Sequence, residues 1–210
     1  FKHERPSSDP IAAEQLAVYQ KLFQVSFEER DQVIRVLAEA GQEAVGSMGD
    51  DTPFAVLSSK ERSLYDYFRQ QFAQVTNPPI DPLREAIVMS LEGCLGAEGN
   101  LFEETEDLAR RVVINSPILS EGQYRALLAM QERFPSQRID LNYLPAEGLK
   151  DAVKRLCNEA VAAVQAGKVM LVVSDRAIDA AKLPAPAALV VGAIHQRLTR
   201  EGLRCRCNLL

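Results

Sequence analysis

Residues 147–173 read EGLKDAVKRLCNEAVAAVQAGKVMLVV, and this stretch decides the fold. Leu149, Val153, Leu156, Val161 and Val164 recur at helical spacing, so Glu147 to Ala166 is a predicted amphipathic helix. Gly167 ends it, because glycine takes the left-handed conformation a helix terminus needs. Val169 to Val173 then runs without a polar residue. A continuous apolar strand is expected where both faces of a sheet are covered, as in a parallel sheet.

Working outward from this unit, the alternation continues on both sides. Val112-Val113-Ile114 reads as a strand, and Ser120 to Gln123 caps a helix running to about Phe134. Arg138 to Tyr143 alternates Ile139, Leu141 and Tyr143, a second strand. Pro184 and Pro186 open a helix through Arg200, and Arg204 to Leu210 reads as the fourth strand. Strands alternating with helices predict an α/β fold, a βαβαβαβ unit with mostly parallel strands, as an open sheet or a partial barrel.

The first half reads as helices. Pro10 to Phe23 carries Leu16, Tyr19 and Phe23. Ser26 and Glu29 form a capping box before Val33, Ile34, Val36 and Leu37, and Gly41 stops that helix. Ser58 to Glu61 caps a further helix in which Leu64, Phe68 and Phe72 recur. Asp81-Pro82 starts another, with Leu83, Ile87 and Leu91 as the predicted buried stripe and Gly93 as its end. The expected organisation is one domain over 1–210, mainly helical to 105 and β/α from 106.

Composition narrows the function classes. The 210 residues carry 24 Lys+Arg against 29 Asp+Glu, a net charge of −5, with no Trp and 6% aromatics. A nucleic-acid binder would show a basic face and stacking platforms. The longest apolar stretch, Ala185 to Ile194, is interrupted by Pro186 and falls short of the ~20 residues that span a bilayer. No signal peptide opens the chain, so no membrane partner and a cytoplasmic location are expected. The chain begins at Phe1 and ends on Asn208-Leu209-Leu210, which reads as a piece cut from a larger polypeptide.

Candidate chemistry is sparse. Cys94, Cys157, Cys205 and Cys207 include one C-x-C but no second pair for zinc, and reduced, buried cysteines are expected. His3 and His195 are the sole imidazoles, and neither pairs with a nucleophile by spacing. The loop Gly93 to Asn100 is glycine-rich but lacks a phosphate-binding signature, so a helix-ending loop is expected. Asp50 and Asp51, in the turn with Ser47 and Met48, could hold a divalent cation, but a solvated or interdomain loop is the simpler reading. Asp175 and Arg176 follow the strand at the end where parallel α/β folds bind ligands. They are the candidate pair for a small α/β enzyme or phosphate-ligand binder; the plainer alternative is an ion pair or cap.

Two stretches carry a resemblance: GSMGDDTP at 46–53 and LYDYFRQQFAQVTNPPIDPLRE at 64–85. With VVINSPIL at 112–119, VVSDR at 172–176 and LPAPAALVVGAIHQRL at 183–198, they resemble the central domain of the large subunit of bacterial, NADPH-dependent glutamate synthase. The resemblance implies a parent that makes two glutamates from glutamine and 2-oxoglutarate. It implies a glutaminase domain with an N-terminal Cys nucleophile, an FMN synthase domain with an iron–sulfur cluster, and electrons from NADPH through a small subunit. The central domain would join these parts and wall the ammonia tunnel. The nucleophile is absent from this sequence and its cysteines do not match the cluster-binding run. The segment is therefore expected to be noncatalytic and without a cofactor of its own. Thr76 and Asn77 are the implied tunnel candidates, with Ser47, Met48, Asp50 and Asp51 as a second, interdomain candidate.

Overall fold

A computed structural model describes residues 11–42, 44, 53, 55–60, 62–68, 81–100 and 102–210. Two compact units divide the chain, Asp9–Asp81 and Pro82–Leu210.

In the first unit, helix α1 spans Ala13–Leu22. The Ser26 hydroxyl accepts from the Glu29 amide at 3.0 Å and so starts the next helix as its capping sequence predicts. That helix is π-wound over Glu29–Ile34 before continuing as α2, Arg35–Ala40. Gly41 ends α2 at φ +60°. Among the described residues, the segment expected as a helix after Ser58 holds a 3₁₀ turn at Leu64–Tyr67, and Phe72 lies outside them. Ser58 instead turns back on the Lys60 amide at 3.1 Å, a local bond that competes with helix. No residue of α1, the π-turn or α2 is buried.

The second unit opens with α3, Pro82–Val88, where Asp81-Pro82 predicts a helix start. Its stripe departs from expectation: Leu83 is 88% and Ile87 80% exposed, not buried. Gly93 does not end a helix but opens strand β1, Gly93–Leu95. β1 pairs antiparallel with β2, Val112–Ile114. The strand at 112–114 thus forms a separate ribbon instead of joining the parallel sheet.

Helix α4, Glu121–Ala129, starts on a complete capping box. The Ser120 hydroxyl accepts from the Gln123 amide at 3.2 Å, and the Gln123 side chain accepts from the Ser120 amide at 2.9 Å. The stretch expected as one strand is two: β3, Ser136–Asp140, and β4, Asn142–Tyr143, in different sheets. An aspartate carboxylate accepting from an amide two residues on is a turn former, and Asp140 Oδ1 accepts from the Asn142 amide at 3.1 Å at the break.

Helix α5, Leu149–Gln165, leads to β5, Met170–Ser174. The bend between them passes through Gly167 at φ +83°, a backbone state that side-chain-bearing residues rarely adopt. A short β6, Leu183–Pro184, pairs antiparallel with β4. Helix α6, Ala187–Arg200, precedes a 3₁₀ turn at Arg204–Arg206 and β7, Asn208–Leu209.

The α/β fold is present: β3, β5 and β7 form a parallel sheet with β5 central. Alternation along β5 sends residues to two cores. Leu171 and Val173 join Ile139, Leu156, Ala160, Ile194 and Leu198 from β3, α5 and α6. Met170 joins Val112, Ile114, Leu127 and Phe134. One face of β5 therefore rests on helices and the other on the ribbon and α4, which explains its unbroken apolar sequence.

Candidate functional site

The register of the parallel sheet sets Asp140 opposite Ser174, so the carboxyl ends of β3 and β5 lie side by side. Parallel sheets present loops and side chains to ligands at this edge. Here the structure brings together Arg138, Asp140, Asn142, Ser174, Asp175 and Arg176. Asn142 sits at the centre with 7% exposure, the one buried polar residue among those described. Its amide donates to Asp140 Oδ1 at 2.6 Å and to the Asp175 carbonyl at 3.2 Å. Arg138 Nη2 and the Arg176 amide both donate to the Ser174 hydroxyl at 3.3 Å.

Asp175 and Arg176 thus lie where their position after a strand predicts. Among the described residues, neither side chain enters a hydrogen bond or ion pair; the backbone of the pair is what the neighbours hold. Asn142 holds the Asp175 carbonyl and Ser174 the Arg176 amide, while Asp140 fixes the Asn142 side chain; motif reasoning missed Asp140 and Asn142. Their signal is a D-x-N spacing after an alternating strand, which reads equally well as ordinary turn chemistry. The cluster offers carboxylates, an amide and guanidinium groups, a set suited to recognition and anchoring. A nucleophilic mechanism needs a base poised on a nucleophile. His195 is exposed on α6, and its Nδ1 accepts from Arg204 Nε at 3.0 Å.

The glycine-rich loop is held by the chain's own C-terminal segment. The Gly96 amide donates to Asn208 Oδ1 at 2.6 Å, and the Glu98 amide donates to the Cys205 carbonyl at 2.7 Å. Arg111 Nη1 donates to the Gly96 carbonyl at 2.8 Å. Gly96 has φ +140°, and a Cβ there would stand 3.0 Å from the Arg110 carbonyl oxygen. The tight approach is therefore to protein backbone, and two amides that a phosphate would use are already engaged.

The iron–sulfur cluster that the resemblance implies belongs to another domain of the parent. A cluster needs converging thiolates. Among the described residues no three His, Cys, Asp or Glu side chains converge on a metal position. Cys94 and Cys205 are exposed, while Cys157 and Cys207 are buried, so two of the four depart from the buried expectation. Cys205 and Cys207 do not share a face, because Cys205 lies in the 3₁₀ turn and not in a strand. Desolvation pushes the Cys157 and Cys207 thiols above their ordinary pKa and favours the uncharged form. The donor set does not fit a cluster.

One further polar pair supports α5. Arg155 Nε and Nη2 grip both oxygens of Glu147 at 2.7 and 3.2 Å. This hydrogen bond holds the Glu147 carboxyl below its usual pKa. In the first unit, Gln20, Val25, Ser26, Phe27 and Arg30 border an open hollow of about 150 Å³, small for an organic ligand. The sequence candidates Ser47, Met48, Asp50, Asp51, Thr76 and Asn77 lie outside the described residues. No described helix is long and apolar enough to cross a membrane.

A family model described as the glutamate synthase central domain matches residues 18–210. The chain is 42% identical over 209 residues to a chloroplastic ferredoxin-dependent glutamate synthase of Oryza sativa subsp. japonica, covering 97% of the chain and 13% of that protein. It is 41% identical over 194 residues to the NADPH glutamate synthase large chain of Azospirillum brasilense, covering 90% of the chain and 13% of that protein. It is 40% identical over 194 residues to the NADH glutamate synthase of Schizosaccharomyces pombe, covering 90% of the chain and 9% of that protein. The chain therefore spans about an eighth or less of the length of these relatives.

Proposed function

The chain belongs to the glutamate synthase central-domain family, and from that membership we propose that it is the noncatalytic connecting domain of a glutamate synthase. In this reading it joins a glutaminase domain to an FMN synthase domain and lines the path that ammonia takes between them. The observation that carries the reading is the match of the central-domain model to residues 18–210 in a chain that spans only 13% of the length of its rice relative. The physical logic supports it. Ammonia must pass between sites without being protonated and lost to water, so the path needs rigid walls with fixed hydrogen-bonding groups. The sequence QVTNPP at 74–79 carries two adjacent prolines, and proline restricts the backbone at low entropic cost on folding.

The proposal places Thr76 and Asn77 at the tunnel and Ser47, Met48, Asp50 and Asp51 at an interdomain surface. It assigns FMN, the iron–sulfur cluster and NADPH, delivered through a small subunit, to other parts of the assembly. The cytoplasm is the proposed compartment. In the full-length polypeptide, Asn77→Asp is expected to raise the amount of glutamine hydrolysed per glutamate formed; an unchanged ratio removes Asn77 from the path. Stoichiometric FMN or glutaminase turnover in the purified 210-residue chain would overturn the noncatalytic assignment.

The position of Asp175 and Arg176 at the carboxyl edge of the parallel sheet favours one second reading, a phosphate-ligand site. A rise in melting temperature with nucleotides or phosphosugars would support it, and no rise across such a panel would remove it.

A further inference from the structure

We propose that the apolar stretch of α3 and the residues after it form a docking face for another domain of the same polypeptide. The inference rests on the reading of the chain as one domain of a larger glutamate synthase. Leu83 and Ile87, one helical turn apart on α3, are 88% and 80% exposed. Val88, Met89 and Leu91 are also exposed. Next along the chain, the outer pair of the ribbon, Cys94 opposite Val113, is exposed as well. Scattered apolar residues on a surface are ordinary, but a run of large ones on a single short segment marks an interaction site.

Size and chemistry select the occupant. An interface between independent molecules takes about 20–30 residues a side, far more than 83–91 offers. Domains tethered in one chain meet at high effective concentration, so their contact needs less intrinsic affinity than one between independent molecules. α3 is seven residues long, too short to span a bilayer. The relatives supply the tethered partner: the matched segment is 13% of the rice protein and 9% of the fission yeast protein, so most of each polypeptide lies elsewhere. The partner surface is apolar and aliphatic, to match Leu, Ile, Val and Met. It has a polar rim to meet Glu92, which follows the stripe in sequence.

The test is amide hydrogen exchange over residues 83–91, read in the 210-residue chain and in the full-length polypeptide. About tenfold or greater slowing in the full-length protein is expected. Equal rates in the two would overturn the proposal. The double variant L83E/I87E is expected to restore fast exchange over 83–91 in the full-length protein and to leave the melting temperature of the short chain unchanged. An equal drop in melting temperature in both proteins would mean the stripe packs within the chain itself, and would overturn it. Sedimentation of the short chain supplies a third arm: a dimer that L83E/I87E dissolves would make a second copy the occupant, and would also overturn it. The coupling ratio of the Asn77→Asp variant is a separate readout. Protection at 83–91 with an unchanged ratio would defeat the tunnel role and keep the docking face; the reverse pair of results would do the opposite.

Discussion

In α5, Leu156 and Ala160 are wholly withdrawn from water, while on α3 Leu83 and Ile87 stand almost fully in it. Both helices carry apolar residues at helical spacing, and both start where the local sequence predicts. They differ in what lies opposite. α5 packs on β3 and α6, with Ile139, Ile194 and Leu198 across from it. Periodicity defines which side of a helix is apolar, but burial depends on a second surface. α1 and α2 repeat the lesson, since neither has a buried residue.

This contrast can be broken or sharpened by substitution. Leu156→Ala is expected to lower the unfolding free energy by about 2–5 kcal/mol, because it leaves a cavity in the main core. Ile87→Ala in the same chain is expected to stay within about 0.5 kcal/mol. Urea unfolding measures both, and an equal loss at the two sites would erase the distinction. Asn208→Ala deprives the Gly96 amide of its acceptor. It is expected to cost about 1–3 kcal/mol, with faster hydrogen exchange at Gly96. Ser120→Ala removes half of the α4 capping box and is expected to cost about 1 kcal/mol by the same urea measurement.

Two pH effects sharpen the comparison further. Burial raises the folded-state pKa of Cys157 and Cys207, so the unfolded chain loses these protons first as pH rises. Stability is therefore expected to fall once pH passes the ordinary thiol range, and C157A/C207A should flatten that loss. Thiol reagents should modify Cys94 and Cys205 quickly and the buried pair only on unfolding. Glu147 has the opposite sign. Its folded pKa is depressed by the Arg155 hydrogen bond, so its contribution is present above the ordinary carboxylate value and disappears as pH falls through the lowered one. The pair lies at the surface with Arg155 exposed and Glu147 half-buried, so the acid-side change in Glu147→Gln is expected to be the smallest of the set.

Much of the fold is legible in local chemistry. The helix at Leu149–Gln165, its Gly167 stop and the strand at Met170–Ser174 follow from spacing and from one residue that tolerates positive φ. The capping box of α4 is legible for the same reason, because its partners are three residues apart. Strand partnership is less legible. Val112–Ile114 is a strand as its composition predicts, yet it pairs with Gly93–Leu95, which reads as a helix end. Nothing local in GCL announces a strand; Val112 and Ile114 across the ribbon make it one. The candidate site divides in the same way. Asp175 and Arg176 are visible as polar residues after an apolar strand. Asn142 is not, because its importance comes from lying 33 residues away from the carbonyl it holds.

Composition, charge and periodicity were sufficient to establish an acidic α/β chain, its main helices and the apolar side of each. These depend on residues within a few positions of one another. Which apolar sides would be covered, which strands would pair and which amides the Gly93–Asn100 loop would satisfy all depend on contacts across large sequence separations. Gly96 and Asn208 are 112 residues apart, and that bond shapes the loop together with the positive φ of Gly96. Short-range chemistry chooses the elements; burial and hydrogen-bond satisfaction, which need a folded neighbour, choose their partners and leave α3 facing water.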